Sequence, residues 1–304
     1  MKKILVIGSM NVDFVAPVAH IPAEGETILA GHLSIHTGGK GGNQAFAAAK
    51  LGGDVTMLGA VGCDDYGQLL LNSLSSVGVD VSRVKKAEGV STGMAWIAVS
   101  AKGNNSIIVI PGANLTVDKA YIDANLDILA ASDVVVMQME IPLETVAYAA
   151  QKAKALGKTV ILDPAPAVPG LGREVLQYVD IAKPNETELS ILLKDPETAA
   201  HVPAAAQALQ DRGVANVAVT LGSDGAYLLK ADGTGEHFES RPVKAVDTTA
   251  AGDSFTAAMA LKISQGASLE EAFPFAMRVA EIVVTRPGAQ SSIPFPYEIA
   301  QIQA

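Results

Sequence analysis

The sequence contains one cysteine, Cys63, so no disulfide can form within the chain. The fold must rest on packing, and a reducing, cytoplasmic setting is expected. Aromatic residues are scarce at 5 %, with a single tryptophan, while hydrophobic residues together make up 49 %. The core is therefore built from Ala, Val, Leu and Ile, the usual filling of a parallel sheet covered by helices. Positive charge is also short: 22 Lys and Arg against 32 Asp and Glu leave a formal charge of −10. No Lys/Arg cluster stands out, which argues against a nucleic-acid partner. No apolar run reaches the roughly 18 residues of a membrane span. The opening "MKKILVIGSMNVDF" offers only about five apolar residues before Ser9, Asn11 and Asp13, too few for a signal-peptide core. An acidic protein that handles an anion must do so locally, with backbone amides or a metal.

What is present reads as alternating elements. "KILVIG" (3–8) is a short buried strand, "GGNQAFAAAKLGG" (41–53) a small-residue helix, "VTMLGAVG" (55–62) a strand and 64–79 a helix opened by Asp. Strands at 133–139, 159–163, 181–183 and 216–222 alternate with helices at 117–130, 143–156, 171–178, 186–193 and 203–211. That rhythm predicts a three-layer α/β/α fold around a mostly parallel sheet. Two segments break it. "TGMAWIAVS" and "NSIIVIPG" flank "AKGNN" as a β-hairpin, and 13–37 also reads as strands without helices. The hairpin is apolar on both faces. Residues 13–37 and 91–111 are thus expected to form a small antiparallel lid that also meets a second subunit, with 1–12, 38–90 and 112–304 as the core.

Five stretches carry candidate chemistry. In "DTTAAGD" (247–253), Asp253 stands at a helix mouth beside Ala250, Ala251 and Gly252. Unsatisfied amides without side chains can cradle a phosphate, and the acid can take a proton from an attacking hydroxyl. A first-turn acid favoured by the helix dipole has the same sequence. In "TGGKGGNQAFAAA" (37–49), glycines surround Lys40, and the pattern matches neither a Walker A loop nor G-x-G-x-x-G. It suits close approach to a small polar ligand, or a turn with Asn43 as a cap. In "GSMNVDF" (8–14), Asn11 and Asp13 follow a strand at the edge where open α/β sheets bind ligands. They share a face and suit vicinal hydroxyls, or an Asx turn. In "KPNETEL" (183–189), Asn185 and Glu188 offer oxygen to a hard cation, or simply start a helix. "TLGSDGA" (220–226) is a phosphate rest or a plain turn, and Glu140 ends the strand "VVVMQME".

In this order, with "DPAPA" and "VTRPGAQSSIP", these motifs resemble the ribokinase-like (PfkB-type) carbohydrate kinases along the whole chain. The resemblance implies a Rossmann-like sheet with a β-lid and transfer of the ATP γ-phosphoryl group to a sugar hydroxyl, with ribose the first candidate acceptor. Fructose, deoxyribose or a nucleoside are alternatives, and a non-catalytic sugar-binding regulator is the rival from another class. The resemblance makes Asp253 the base and the amides of Ala250, Ala251 and Gly252 an anion hole. It puts Asn11, Asp13, Gly39, Lys40, Gly41, Gly42, Asn43, Glu140 and Asp253 itself at the sugar. It puts Asn185, Thr220, Leu221, Gly222, Ser223, Asp224, Gly225, Gly252 and Met277 at ATP. Glu188 would hold Mg²⁺ through water, and Asp247, Thr249, Val283, Arg286, Gly288 and Ser292 would hold K⁺. A homodimer through the lid is implied as well. Asp163 stands where the family often has Asn, and Met277 where some members carry His.

Overall fold

The computed structural model describes residues 2–301. Its strands in chain order are β1 (Lys3–Ile7), β2 (Asn11–Val18), β3 (Ser34–Gly38), β4 (Asp54–Leu58), β5 (Ala60–Gly62), β6 (Lys85–Ala87), β7 (Gly93–Ser100), β8 (Asn105–Ile110), β9 (Val134–Met137), β10 (Thr159–Leu162), β11 (Ile181–Ala182), β12 (Asn216–Thr220), β13 (Ala226–Leu229) and β14 (Gly235–Phe238). Eight of them form one sheet in the order β14-β13-β12-β11-β10-β9-β1-β4. The pairs from β12 to β4 are parallel, and β13 and β14 add an antiparallel edge.

β1 shows why the sheet needs cover on both sides. Ile4 and Val6 enter one apolar cluster with the helices Lys40–Lys50, Ala251–Ser264 and Leu269–Val283. Leu5 and Ile7 enter another with the helices Leu143–Ala155, Glu186–Leu193 and Val202–Gln210. Successive strand residues point to opposite faces, so a continuous apolar run is what a twice-covered strand requires. All four are at most 1 % exposed. This is the three-layer architecture expected above.

The smaller sheet runs β3-β2-β7-β8. Its outer pairs are antiparallel and its central pair, β2 with β7, is parallel. β2 starts at Asn11, so Asn11 and Asp13 both belong to this sheet. Phe14 anchors it, stacked on Trp96 at 4.7 Å and edge-on to Tyr66 at 5.2 Å.

Several elements differ from expectation. The stretch 55–62 is two strands, because at Gly59 the chain runs against Gly8: a Cβ there would sit 2.7 Å from the Gly8 oxygen. β5 then leaves the main sheet to pair with β6. The helix expected over 117–130 is broken into Lys119–Asp123 and Leu126–Ala131, with Asn125 between them. Strands β13 and β14 and the helix Leu269–Val283, which contains Pro274, were not read from the sequence.

Candidate active site

The helix Ala251–Ser264 starts from Ala250, which takes a left-handed conformation, φ 61°. That conformation costs a non-glycine residue about 1–2 kcal/mol. It turns the chain so sharply that the first helical amides face open space. The N–H groups of Ala250, Gly252 and Asp253 meet no acceptor among the described residues. Ala251 departs from expectation: its N–H closes a turn onto the Thr248 oxygen at 3.2 Å, so it is already used.

Asp253 is 7 % exposed. A buried carboxylate is costly unless it is hydrogen-bonded, and two amides supply the bonds. Asn43 Nδ2 donates to Oδ2 at 3.0 Å and Gln44 Nε2 to Oδ1 at 3.0 Å. Asn43 is fixed in turn. Gln290 Nε2 donates to its oxygen at 3.3 Å, and the Gln290 oxygen accepts from Thr37 at 2.6 Å and Ser73 at 2.8 Å.

On one flank of Asp253 lie Asn11, Asp13, Lys40 and Glu140. Asn114 Nδ2 donates to Asn11 Oδ1 at 2.7 Å, which leaves the Asn11 amide nitrogen as the donor to any ligand. Glu140 accepts from Ser9 Oγ and, at 3.1 Å, from the Lys40 backbone N–H. Burial pushes the Asp13 carboxyl up to about 7, helped by the negative charges of Glu140 and Asp253. Burial alone would lower the Lys40 pKa, but Asp253, Asp163, Glu140 and Glu188 outweigh it and hold the ammonium above its ordinary value.

The glycines of this loop serve the protein's own packing more than an open ligand surface. A Cβ on Gly38 would stand 2.3 Å from Asp13 Oδ2, one on Gly39 2.6 Å from the Asn11 nitrogen, and one on Gly41 2.7 Å from Ser9 backbone atoms. The Gly41 and Gly42 N–H groups are donated to Ser9, at 3.3 Å and 2.8 Å. Neither amide is therefore available to a sugar, contrary to expectation. Gly39 packs against the Asn11 backbone, and the Lys40 N–H donates to Glu140.

On the other flank opens a cleft of about 810 Å³. Lys40, Lys183, Gly252 and Asp253 line its inner end, and Val243, Met277, Ala280 and Val284 supply apolar surface elsewhere on its wall. Asn185 and Glu188 form a capping box: Glu188 N–H donates to Asn185 Oδ1 and Asn185 N–H to Glu188 Oε2, both at 2.8 Å. The structural role is therefore real, and it leaves the Asn185 amide nitrogen and one Glu188 oxygen on the cleft wall. Thr220, Gly222, Ser223 and Gly225 also line the cleft. Leu221 does not; its side chain is in the apolar core. Asp224 is not on the wall either.

Beside the helix mouth, Asp247 accepts from Thr249 N–H at 2.9 Å, Thr249 Oγ1 at 2.6 Å and Gly288 N–H at 2.8 Å. Burial pushes this carboxyl up, but those hydrogen bonds outweigh it and hold it below the ordinary range. The Val283 oxygen accepts the Arg286 N–H at 3.1 Å. The Arg286 guanidinium turns to Glu298 at 2.8 Å, and Ser292 Oγ donates to the Ala289 oxygen.

Sequence reasoning missed Gln44, Asn114, Asp163, Lys183 and Gln290 as site residues. A glutamine inside an alanine-rich helix start was the legible signal for Gln44, since a lone amide among small buried residues needs buried partners.

Comparison with known proteins gives the family. The sequence profile of the "pfkB family carbohydrate kinase" matches residues 1–296. Ribokinase of Schizosaccharomyces pombe is 42 % identical over 98 % of this chain and 97 % of its own. Deoxyribokinase of Salmonella typhi is 40 % identical over 96 % of this chain and 95 % of its own. The structure of Arabidopsis thaliana ribokinase complexed with ribose and ATP superposes with a TM-score of 0.91 at 35 % identity, covering 99 % of this chain and 98 % of that one. The chain belongs to the pfkB family of carbohydrate kinases. It is a phosphotransferase acting on a sugar hydroxyl.

Proposed function

We propose that this enzyme phosphorylates D-ribose on its 5-hydroxyl with ATP. One observation carries the reading: Asp253, held by Asn43 and Gln44, stands within electrostatic reach of Asp13 on one side and, with Gly252, lines the cleft of about 810 Å³ on the other. The sugar hydroxyl oxygen bonds to the γ-phosphorus as the bond from phosphorus to the β–γ bridging oxygen breaks and ADP leaves. The hydroxyl proton passes to Asp253. The amides of Ala250 and Gly252 and the helix dipole receive the charge on the equatorial phosphoryl oxygens.

The donor set fits the groups the family implies. The apolar wall around Met277 suits a nucleotide base, where a thioether packs against a purine face. The Glu188 oxygen outside the capping box would hold Mg²⁺ through water, and Mg²⁺ neutralises phosphate charge when bound. Asp247, Thr249, Val283, Gly288 and Ser292 form a carbonyl- and hydroxyl-rich loop pair suited to K⁺; Arg286 contributes only its backbone, because its guanidinium is engaged with Glu298. A cytoplasmic setting is supported by the single cysteine.

The test is ADP release from ATP and Mg²⁺ across pentoses, hexoses and nucleosides, with and without K⁺. Ribose is expected to give the highest kcat/KM, with K⁺ stimulating. The deoxyribokinase relative supports deoxyribose as the second reading, and a higher kcat/KM for deoxyribose would select it. Asp13 adds a pH signature. It accepts a hydroxyl more strongly when ionised, and its pKa is raised to about 7. The KM for sugar is therefore expected to fall as pH rises from 6 to 8 and then level off. A flat KM across that range would remove Asp13 from sugar binding.

The lid sheet is the proposed dimer surface. Every residue of β8 is exposed, with Ile107 and Ile108 51 % and 65 % exposed, and its outer edge is unpaired. Unpaired apolar edges are association sites. I108D is expected to convert a dimer to monomers in analytical ultracentrifugation; an unchanged sedimentation coefficient would exclude this face.

A further inference from the structure

Beside Asp253, lining the same cleft, lies a second buried carboxylate that the chemistry above does not use. Asp163 follows β10, and Lys183 follows the neighbouring parallel strand β11; they are 1 % and 3 % exposed. Lys183 Nζ stands 3.2 Å from Asp163 Oδ1 and 3.4 Å from the Gly252 oxygen. The Gln44 side-chain nitrogen spends one hydrogen on Asp163 Oδ2, at 2.8 Å, and the other on Asp253 Oδ1, at 3.0 Å. Its oxygen accepts from Gln138 at 2.6 Å. The orientation of Gln44 is thus decided by chemistry, because the opposite flip would set an oxygen against two acceptors.

Two carboxylates joined through one amide repel each other, and Asp253 makes Asp163 harder to ionise. Lys183 is placed to cancel the charge of Asp163. The other charged groups facing the pair are Lys40 from the helix Lys40–Lys50, Asp13 from β2, Glu140 after β9 and Glu188 from the helix Glu186–Leu193. Burial raises the Asp163 pKa, and Lys183 and Lys40 oppose that rise.

We propose that Gln44 and the Asp163–Lys183 ion pair are positioning residues for Asp253: Gln44 fixes its carboxylate against the amide-lined helix mouth, and the balanced pair keeps its working pH range in place. The proposal rests on Asp253 being the base. A merely structural ion pair makes no prediction about sign, whereas this one does. D163N leaves Lys183 uncompensated, which favours ionised Asp253. K183M leaves Asp163 uncompensated, which disfavours it.

The experiment is the pH profile of kcat at saturating sugar and ATP, which reports groups in the substrate complex, for D163N, K183M, the double variant and Q44L. The acid limb is expected to move down by about one pH unit in D163N and up by about one in K183M. The double variant is expected to return near the wild-type limb. Q44L is expected to lower kcat roughly 10- to 100-fold, as misplacement of a reacting group does, with sugar KM within about three-fold of wild type. Limbs that move together or not at all, or Q44L with normal kcat, would overturn the proposal. Should a single-charge variant fail to fold, the double variant and Q44L decide it. D253N run in parallel separates the two levels: if it turns over normally, the base assignment itself has failed.

Discussion

D253N is expected to lose on the order of 10²- to 10⁴-fold in kcat, with the dissociation constant for sugar within about three-fold of wild type. In the proposed reaction the Asp253 carboxylate takes the hydroxyl proton, which an amide cannot do. The substitution has a second, smaller consequence. Asn43 Nδ2 and Gln44 Nε2 both donate to this side chain. An asparagine offers a single acceptor oxygen, so one buried donor loses its partner, at a cost of about 1–3 kcal/mol. Stability should therefore fall modestly while turnover collapses, and a thermal melt beside the kinetics separates the two. Near-normal turnover in a folded D253N enzyme would remove Asp253 from the base role.

G39A is expected to produce a large loss of stability, together with loss of sugar affinity. Gly39 has φ 80°, a conformation strained for any side chain. Its added Cβ would stand 2.6 Å from the Asn11 nitrogen and 2.9 Å from the Met10 Cα. Both contacts are backbone, so no side chain can rotate away. Left-handed strain and overpacking together amount to roughly 3 kcal/mol or more, a fall in melting temperature of about 6–12 °C for a chain near this size. The displaced strand carries Asn11 and Asp13, so sugar KM should rise at least about ten-fold, the effect of roughly 1.4 kcal/mol. A G39A enzyme with wild-type melting temperature and KM would show that the loop and β2 are not packed as described.

Apolar runs such as "KILVIG" announced strands because both faces of the main sheet are covered. The break at Gly59 was invisible, since its cause is the carbonyl of Gly8, fifty-one residues earlier. The hairpin β13–β14 hid behind a turn whose glycines suggested a ligand; Gly225 is required there because a Cβ would meet the Phe238 oxygen at 2.0 Å. The motif glycines near Lys40 were legible as a close approach, but the approaching partner is the chain itself at Ser9, Asn11 and Asp13.

The sequence by itself determined the α/β alternation, the acid at a bare helix mouth and the identity of most groups at the candidate site, because each depends on local pattern: strand and helix periodicity, missing side chains and residue chemistry. Only the tertiary structure decided which of those groups are free. It spent the amides of Ala251, Gly41 and Gly42 on internal bonds, turned Leu221 into the core, and brought Gln44, Asp163 and Lys183 beside Asp253 from three separate elements. A hydrogen-bonding group can be read from its residue type, but whether its capacity is already used depends on partners the fold brings in, from Thr248 three positions before Ala251 to Asp253, 209 positions from Gln44.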